Sequence, residues 1–245
     1  MKIYKHIFCL CSLICGLQDV SAQPVNPDDP ATVDITFSIF PLVSGNWEGI
    51  YYLPKGDPEK PEELRFSLYQ RSKAYEYKGP APLTFFRITT NDEGDKVFTG
   101  VGVVKLPKEL TSGDLILFFD PVKEDGPYTI TKMFDSEMSY PDESMVIFNT
   151  MPITFTAAFG SQAIAIPPGA SPPISIKSHT KNPVPIAMAI NQDNKLHLVL
   201  KNQMRFSSGR RTLLILRKPM NEGSLRIRSQ RLTESSRKEE KESEG

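Results

Sequence analysis

A two-residue alternation of apolar and polar side chains constrains this chain more than any other feature. Ile35, Phe37 and Ile39 alternate with Asp34, Thr36 and Ser38. Leu64, Phe66 and Leu68 alternate with Glu63, Arg65 and Ser67. The same rhythm returns at Ile153–Ala157 and at Leu196–Leu200, where His197 is expected to face outward with Lys195 and Lys201. Successive side chains of a strand point to opposite faces, so each run predicts a half-buried strand. Leu115–Phe119 and Leu213–Leu216 are apolar throughout, which suits central strands covered on both faces. Turn chemistry separates the runs at Asn91–Gly94, Asp125–Pro127, Pro167–Gly169 and Ser207–Gly209. Asn191–Asn194 reads as a hairpin turn. About fifteen candidate strands fall between residues 34 and 217, and no helical stripe competes beyond one turn at Met133–Tyr140. The expected fold is all-β, an antiparallel β-sandwich.

The domain plan follows from length and from shifts in composition. An immunoglobulin-like sandwich needs about 100 residues. We read two such units, 34–122 and 123–218, divided near Asp120–Pro127. Ahead of them, Lys2, Lys5 and His6 precede an apolar run, Ile7–Leu17, and then Val20-Ser21-Ala22. This is the pattern of an export signal cleaved after Ala22. The apolar run is 11 residues long, short of the roughly 20 needed to span a bilayer. Residues 23–33 hold three prolines and read as a linker. Residues 219–245 carry six basic and six acidic side chains and no aromatic, so a disordered tail is expected.

All three cysteines, Cys9, Cys11 and Cys15, lie within the signal. The exported chain therefore has no disulfide, no thiolate nucleophile and no cysteine metal site. Its formal charge is near zero, which gives no general pull toward nucleic acid. No nucleophile elbow, phosphate loop, dinucleotide fingerprint or His-Glu-x-x-His pattern occurs. His179 and His197 read as surface residues. Asp135–Glu143 gathers four carboxylates, but the spacing is not that of a calcium loop. Neither metal nor cofactor is expected.

Aromatic residues form the candidate binding set: Trp47, Tyr51, Tyr52, Tyr75 and Tyr77. In a strand over 46–53, Trp47 and Tyr51 would share one face. Exposed, such rings would stack on sugars or anchor a protein. The competing reading packs Trp47 and most of the tyrosines in or around the core.

Residues 115–169 carry a run of landmarks: Asp120-Pro121, Tyr128, Asp135-Ser136, Tyr140-Pro141, Phe148-Asn149, Phe159-Gly160 and Pro168-Gly169. Together with Tyr75–Pro80, this arrangement is similar to a set of uncharacterised secreted all-β bacterial proteins, over roughly residues 45–218. The resemblance implies export and an all-β, immunoglobulin-like sandwich, and brings no activity with it.

The functional expectation is a non-enzymatic secreted or periplasmic protein with a binding or structural role in the cell envelope. Its partner would be an envelope protein or glycan, reached through aromatic residues or an exposed strand edge. The alternative is a carbohydrate-acting hydrolase using paired carboxylates.

Overall fold

The computed structural model describes residues 32–122, 126–221 and 223–235. The expected export signal, residues 1–22, and most of the expected linker, residues 23–33, lie outside them. The fold is all-β, with seventeen strands among the described residues and one short 3-10 turn at Lys177–His179. Thr32 and Val33, expected in the linker, belong to the first strand, because Val33 is buried in the core.

The first eight strands are β1 (Thr32–Pro41), β2 (Tyr51–Tyr52), β3 (Glu62–Glu63), β4 (Tyr75–Pro80), β5 (Leu83–Thr90), β6 (Lys96–Val104), β7 (Ser112–Pro121) and β8 (Tyr128–Phe134). They make an inner sheet, β4-β1-β7-β8, and an outer sheet, β3-β2-β5-β6. The next nine are β9 (Ser144–Asn149), β10 (Phe155–Phe159), β11 (Gln162–Ile166), β12 (Gly169–Ala170), β13 (Ile174–Ser175), β14 (Val184–Gln192), β15 (Lys195–Met204), β16 (Arg210–Arg217) and β17 (Arg228–Ser235). They repeat the same order. β12-β9-β16-β17 forms a second inner sheet, with β13 also on β9, and β11-β10-β14-β15 a second outer sheet. Within each inner sheet one pair is parallel, β1 with β7 and β9 with β16.

Three hydrophobic cores separate these four layers. Leu115, Leu117 and Phe119 of β7 face the first outer sheet and pack with Phe37, Tyr52 and Phe85. Ile116 and Phe118, on the other face of β7, meet Val146, Phe148, Leu213 and Ile215 of the second inner sheet. The Phe118 and Phe148 rings stack at 4.2 Å. Leu214 and Leu216 point the opposite way, onto Met145, Phe155 and Phe159. Double coverage is the reason these two runs are apolar throughout. The described residues gather into a single unit.

Three expectations about the chain's organisation are corrected. The break expected near Asp120–Pro127 is the β7–β8 connection. β8 pairs with β7 along its length, so the first sandwich runs from 32 to 134. The tail expected from 219 is ordered in part. β17 pairs with β16 from Arg217↔Arg228 to Arg210↔Ser235, and places Leu232 on the central core. Residues 236–245 lie outside the described set. Finally, Leu196 and Leu198 point to solvent while Val199 is buried. A β-bulge opposite Met188 and Ala189 inserts one residue into β15, and one residue exchanges the two faces of a strand. Leu200 therefore faces the core and Leu198 does not. The β14–β15 hairpin itself is present, turned by Asp193 and Asn194 in left-handed conformation (φ 52° and 58°).

A ring of four charges closes one end of the central core. Arg71 pairs with Asp135 and, at 3.3 Å, with Glu234. Arg211 pairs with Asp135 at 2.9 Å and with Glu234 at 3.3 Å. Arg71 Nε also donates to the buried Ser38 hydroxyl at 2.5 Å. The Arg211 guanidinium lies 4.5 Å from the centre of the Tyr140 ring. The members come from the β3–β4 loop, the segment after β8, β16 and β17, so the ring ties both sandwiches and the last strand together. Burial works against the Arg71 charge, but the Glu234 and Asp135 carboxylates outweigh it and hold the guanidinium protonated.

Candidate functional site at an open strand edge

Every open sheet has two edges, and an unprotected edge invites another strand. Most edge strands here carry the usual protection. β4 holds Glu76, Lys78 and Pro80; β6 holds Lys96; β8 holds Lys132; β15 holds Lys195 and Lys201; β17 holds Arg228, Arg231 and Glu234. β12 and β13 are two residues each and are interrupted by Pro172-Pro173. β11, Gln162-Ala163-Ile164-Ala165-Ile166, is the one edge strand longer than two residues with neither charge nor proline, among the described residues.

Local sequence explains how β11 comes to stand open. Phe155 pairs with Ile166 and Phe159 with Gln162, around a turn that begins at Gly160 (φ 58°). Phe155, Phe159 and Ile166 enter the core, while Ala163 and Ala165 remain exposed. Pro167-Pro168-Gly169 then carries the chain across to the second inner sheet, where Gly169 and Ala170 pair with Asn149 and Phe148. Ser171 fixes the crossing: its N–H donates to the Ile147 carbonyl at 2.8 Å, and its hydroxyl accepts from the Ile147 N–H at 3.0 Å. The chain thus returns opposite β11 without pairing with it. A groove of about 580 Å³ remains between them, walled by β11, by Ser171–Ser175 and by His179. The His179 ring meets Phe159 edge-on at 5.2 Å.

The counterpart of β11 in the first sandwich is β3, and it is closed. β3 has two residues, both glutamates. Glu62 pairs with Lys73 at 3.5 Å and accepts from the Tyr52 hydroxyl at 3.0 Å. Glu63 accepts from the Gly49 N–H at 3.3 Å and lies 3.6 Å from Arg65. The same position in the same wiring is charged and short in one sandwich, uncharged and longer in the other. An extended segment lying along β11 would satisfy its outward backbone groups. Each hydrogen bond so formed contributes about 0.5–1.5 kcal/mol net. Alternate side chains would enter the groove beside Ile164 and Ile174.

The aromatic candidates do not assemble into a surface. Tyr52, Tyr75 and Tyr77 are 1%, 2% and 4% exposed. The first two pack on Phe37 at 5.2 and 5.6 Å. Their hydroxyls are used internally: Tyr75 donates to the Arg65 carbonyl at 2.9 Å and Tyr77 to the Pro80 carbonyl at 2.5 Å. Burial raises the phenol pKa of Tyr77, and burial together with Glu62 raises that of Tyr52. Trp47 is half-buried between Phe66 and Tyr128, at 5.4 and 5.3 Å. Tyr51, also half-buried, sits on the first outer sheet opposite Phe86. The strand expected over 46–53 shrinks to Tyr51–Tyr52 because Gly49 turns left-handed (φ 64°), so Trp47 and Tyr51 share no strand face. The two-residue rhythm at Leu64–Leu68 likewise forms no strand beyond Glu63.

Two carboxylates of the acidic stretch 135–143 are engaged. Asp135 belongs to the charge ring, and Glu143 accepts from the Gly209 N–H and the Ser208 hydroxyl at 3.3 Å each. A small hollow of about 350 Å³ brings Glu48 and Glu63 beside Trp47. Among the described residues no group of three or more His, Cys, Asp or Glu is placed to hold a metal ion. No helix among them is long and apolar enough to cross a membrane. No protein-family model matches the chain, and no curated protein matches it significantly.

The β11 edge was not singled out by residue type. Its signal was an alternating run with small outward side chains and no gatekeeping charge, Gln162–Ile166, followed by two prolines.

Proposed function

We propose that this chain is an exported, non-enzymatic binding module of the cell envelope, and that its β11 edge takes up an extended segment of a partner protein. The observation that carries this reading is the unprotected β11 along a groove of about 580 Å³, in a molecule whose equivalent edge is sealed by Glu62 and Glu63. Export is supported by the pattern of residues 1–22. The competing hydrolase reading would rest on Glu48 and Glu63 beside Trp47, and Glu63 already serves Gly49 and Arg65.

The test places a photoreactive side chain at Ala163 of the full chain in exporting cells, with Asn202 on the far edge as control. The expected result is one crosslinked partner protein, joined through an extended segment, at Ala163 and not at Asn202. Ala165→Lys, an exposed change that leaves the core intact, should abolish the adduct, since a charge on an edge strand discourages pairing. An adduct indifferent to Ala165→Lys, a glycan adduct, or no adduct at all refutes the reading.

A further inference from the structure

Residues 218–227 join β16 to β17 and carry that hairpin past the last strand pair, Arg217↔Arg228. The Asn221 carbonyl accepts from the Ser224 N–H at 3.2 Å and Gly223 is left-handed (φ 77°), so the chain reverses there. Met220 and Leu225 stand one residue outside the turn, on its two adjacent arms. Both are exposed, at 83% and 40%. A side-chain carbon built on Gly223 meets no atom within 4 Å, so the tip is open around it. The base of the tip is anchored. Ile227 is buried with Leu214 and Phe155, and its N–H donates to the Val199 carbonyl at 3.2 Å. Pro219 stiffens the other arm.

The charge around this apolar tip is one-sided. Residues 217–231 hold five cations, Arg217, Lys218, Arg226, Arg228 and Arg231, against a single acid, Glu222. The fold gathers the cations. Arg228 lies opposite Arg217 across the strands, and its Nε donates to the Lys218 carbonyl at 3.1 Å. Arg231 donates to the Arg205 carbonyl at 3.2 Å, which adds a sixth. None of the six takes part in an ion pair among the described residues. Burial and the neighbouring Arg228 both work against the Arg217 charge, and Asp120 offsets them in part. An external anion would relieve that crowding.

We infer that this hairpin tip docks on the surface of an anionic phospholipid bilayer, with Met220 and Leu225 entering the boundary between headgroups and acyl chains and the surrounding cations meeting lipid phosphates. The two features specify a bilayer only together. Interfacial binding grows with the apolar area inserted and with attraction to anionic lipid. Each lysine or arginine near such a surface strengthens binding about fivefold. A soluble polyanion would satisfy the cations and leave the apolar pair in water. The contact is peripheral, it is separate from the β11 groove, and neither reading depends on the other.

The test is co-sedimentation with lipid vesicles of the soluble protein purified from exporting cells. Phosphatidylcholine vesicles holding about one-third phosphatidylglycerol should carry it down, and phosphatidylcholine alone should bind at least about tenfold more weakly. Salt at about 0.5 M should release most of it. Lys218→Gln with Arg226→Gln changes two exposed side chains that make no hydrogen bond among the described residues. That pair should weaken vesicle binding about tenfold or more at unchanged Tm. Met220→Ser with Leu225→Ser should weaken it several-fold while leaving retention on a dextran sulfate column unchanged. The inference is overturned if anionic vesicles carry nothing down or if phosphatidylcholine alone does as well. It is equally overturned if either pair of substitutions leaves vesicle binding unchanged, as uptake through residues 7–17 or a site for soluble polyanions would.

Discussion

Replacing Asp135 with asparagine tests whether the charge ring holds the two sandwiches together. Arg211 is 2% exposed and Asp135 6%, so both charges lie out of water. Asp135 accepts from two guanidiniums, Arg71 and Arg211, through one oxygen each. Hydrogen bonds to charged groups contribute about 1.5–3 kcal/mol each. In the variant, Glu234 is the one carboxylate left in the ring for Arg71 and Arg211, and one amide N–H is turned toward a cation. Breaking a buried ion pair from one side costs about 3–5 kcal/mol, because the surviving charge stays buried. For a chain of this size that corresponds to a fall of about 6–20 °C in Tm. Thermal and urea unfolding followed by circular dichroism would measure it, at low salt and again at 0.5 M salt, where a buried network should lose little. Asp135→Glu should recover part of the loss. A cost for Asp135→Asn below about 1 kcal/mol, or one that vanishes in salt, would refute the argument and mark the ring as a surface ornament.

Three further outcomes follow from particular side chains. The Tyr140 hydroxyl is buried without a partner, so Tyr140→Phe should stay within about 0.5 kcal/mol of the parent at neutral pH or exceed it. Burial, reinforced by Glu234, holds the Tyr140 phenol protonated well above its usual range. The unfolded phenol ionises near pH 10 while the folded one does not, so stability is full below that pH and falls as pH rises beyond it. Tyr140→Phe should therefore show a shallower alkaline decline in Tm, and an unchanged decline would count against the assignment. The bulge in β15 predicts that Leu198→Lys is tolerated within about 0.5 kcal/mol whereas Val199→Lys costs several; equal urea midpoints would contradict it. Truncation after Lys218 removes β17, with Leu232 and Glu234, and should yield aggregated or unfolded protein by size exclusion and circular dichroism. A monomeric, fully folded truncation would show that the last strand is dispensable.

The strands that local pattern identified are those whose burial depends on a single neighbouring layer or on complete enclosure. Ile35 and Phe37 alternate because β1 presents one face to the first core, and Leu115–Phe119 is unbroken because β7 is covered twice. Where pattern misled, a distant partner or one extra residue decided the outcome. β17 reads as a solvated tail, since its order depends on Glu234 meeting Arg71, 163 positions away. Leu196 and Leu198 read as core residues, and a single inserted position turned them outward. Tyr52, Tyr75 and Tyr77 drew notice by chemical type, but type does not report depth, and their hydroxyls are satisfied inside the first sandwich. The openness of β11 is a property of strand order in a sheet, which becomes visible only once β10 and β14 are in place.

Because one wiring diagram is used twice, the molecule contains its own template for sealing itself. The glutamate pair of β3 occupies, in one copy, the place that Ala163 and Ala165 border in the other. Transplanting that acidic pair onto the second copy would produce a silent twin of the protein, unchanged in its interior and blind at its rim. Such a twin is the natural counterpart against which any capture by the unaltered chain can be judged.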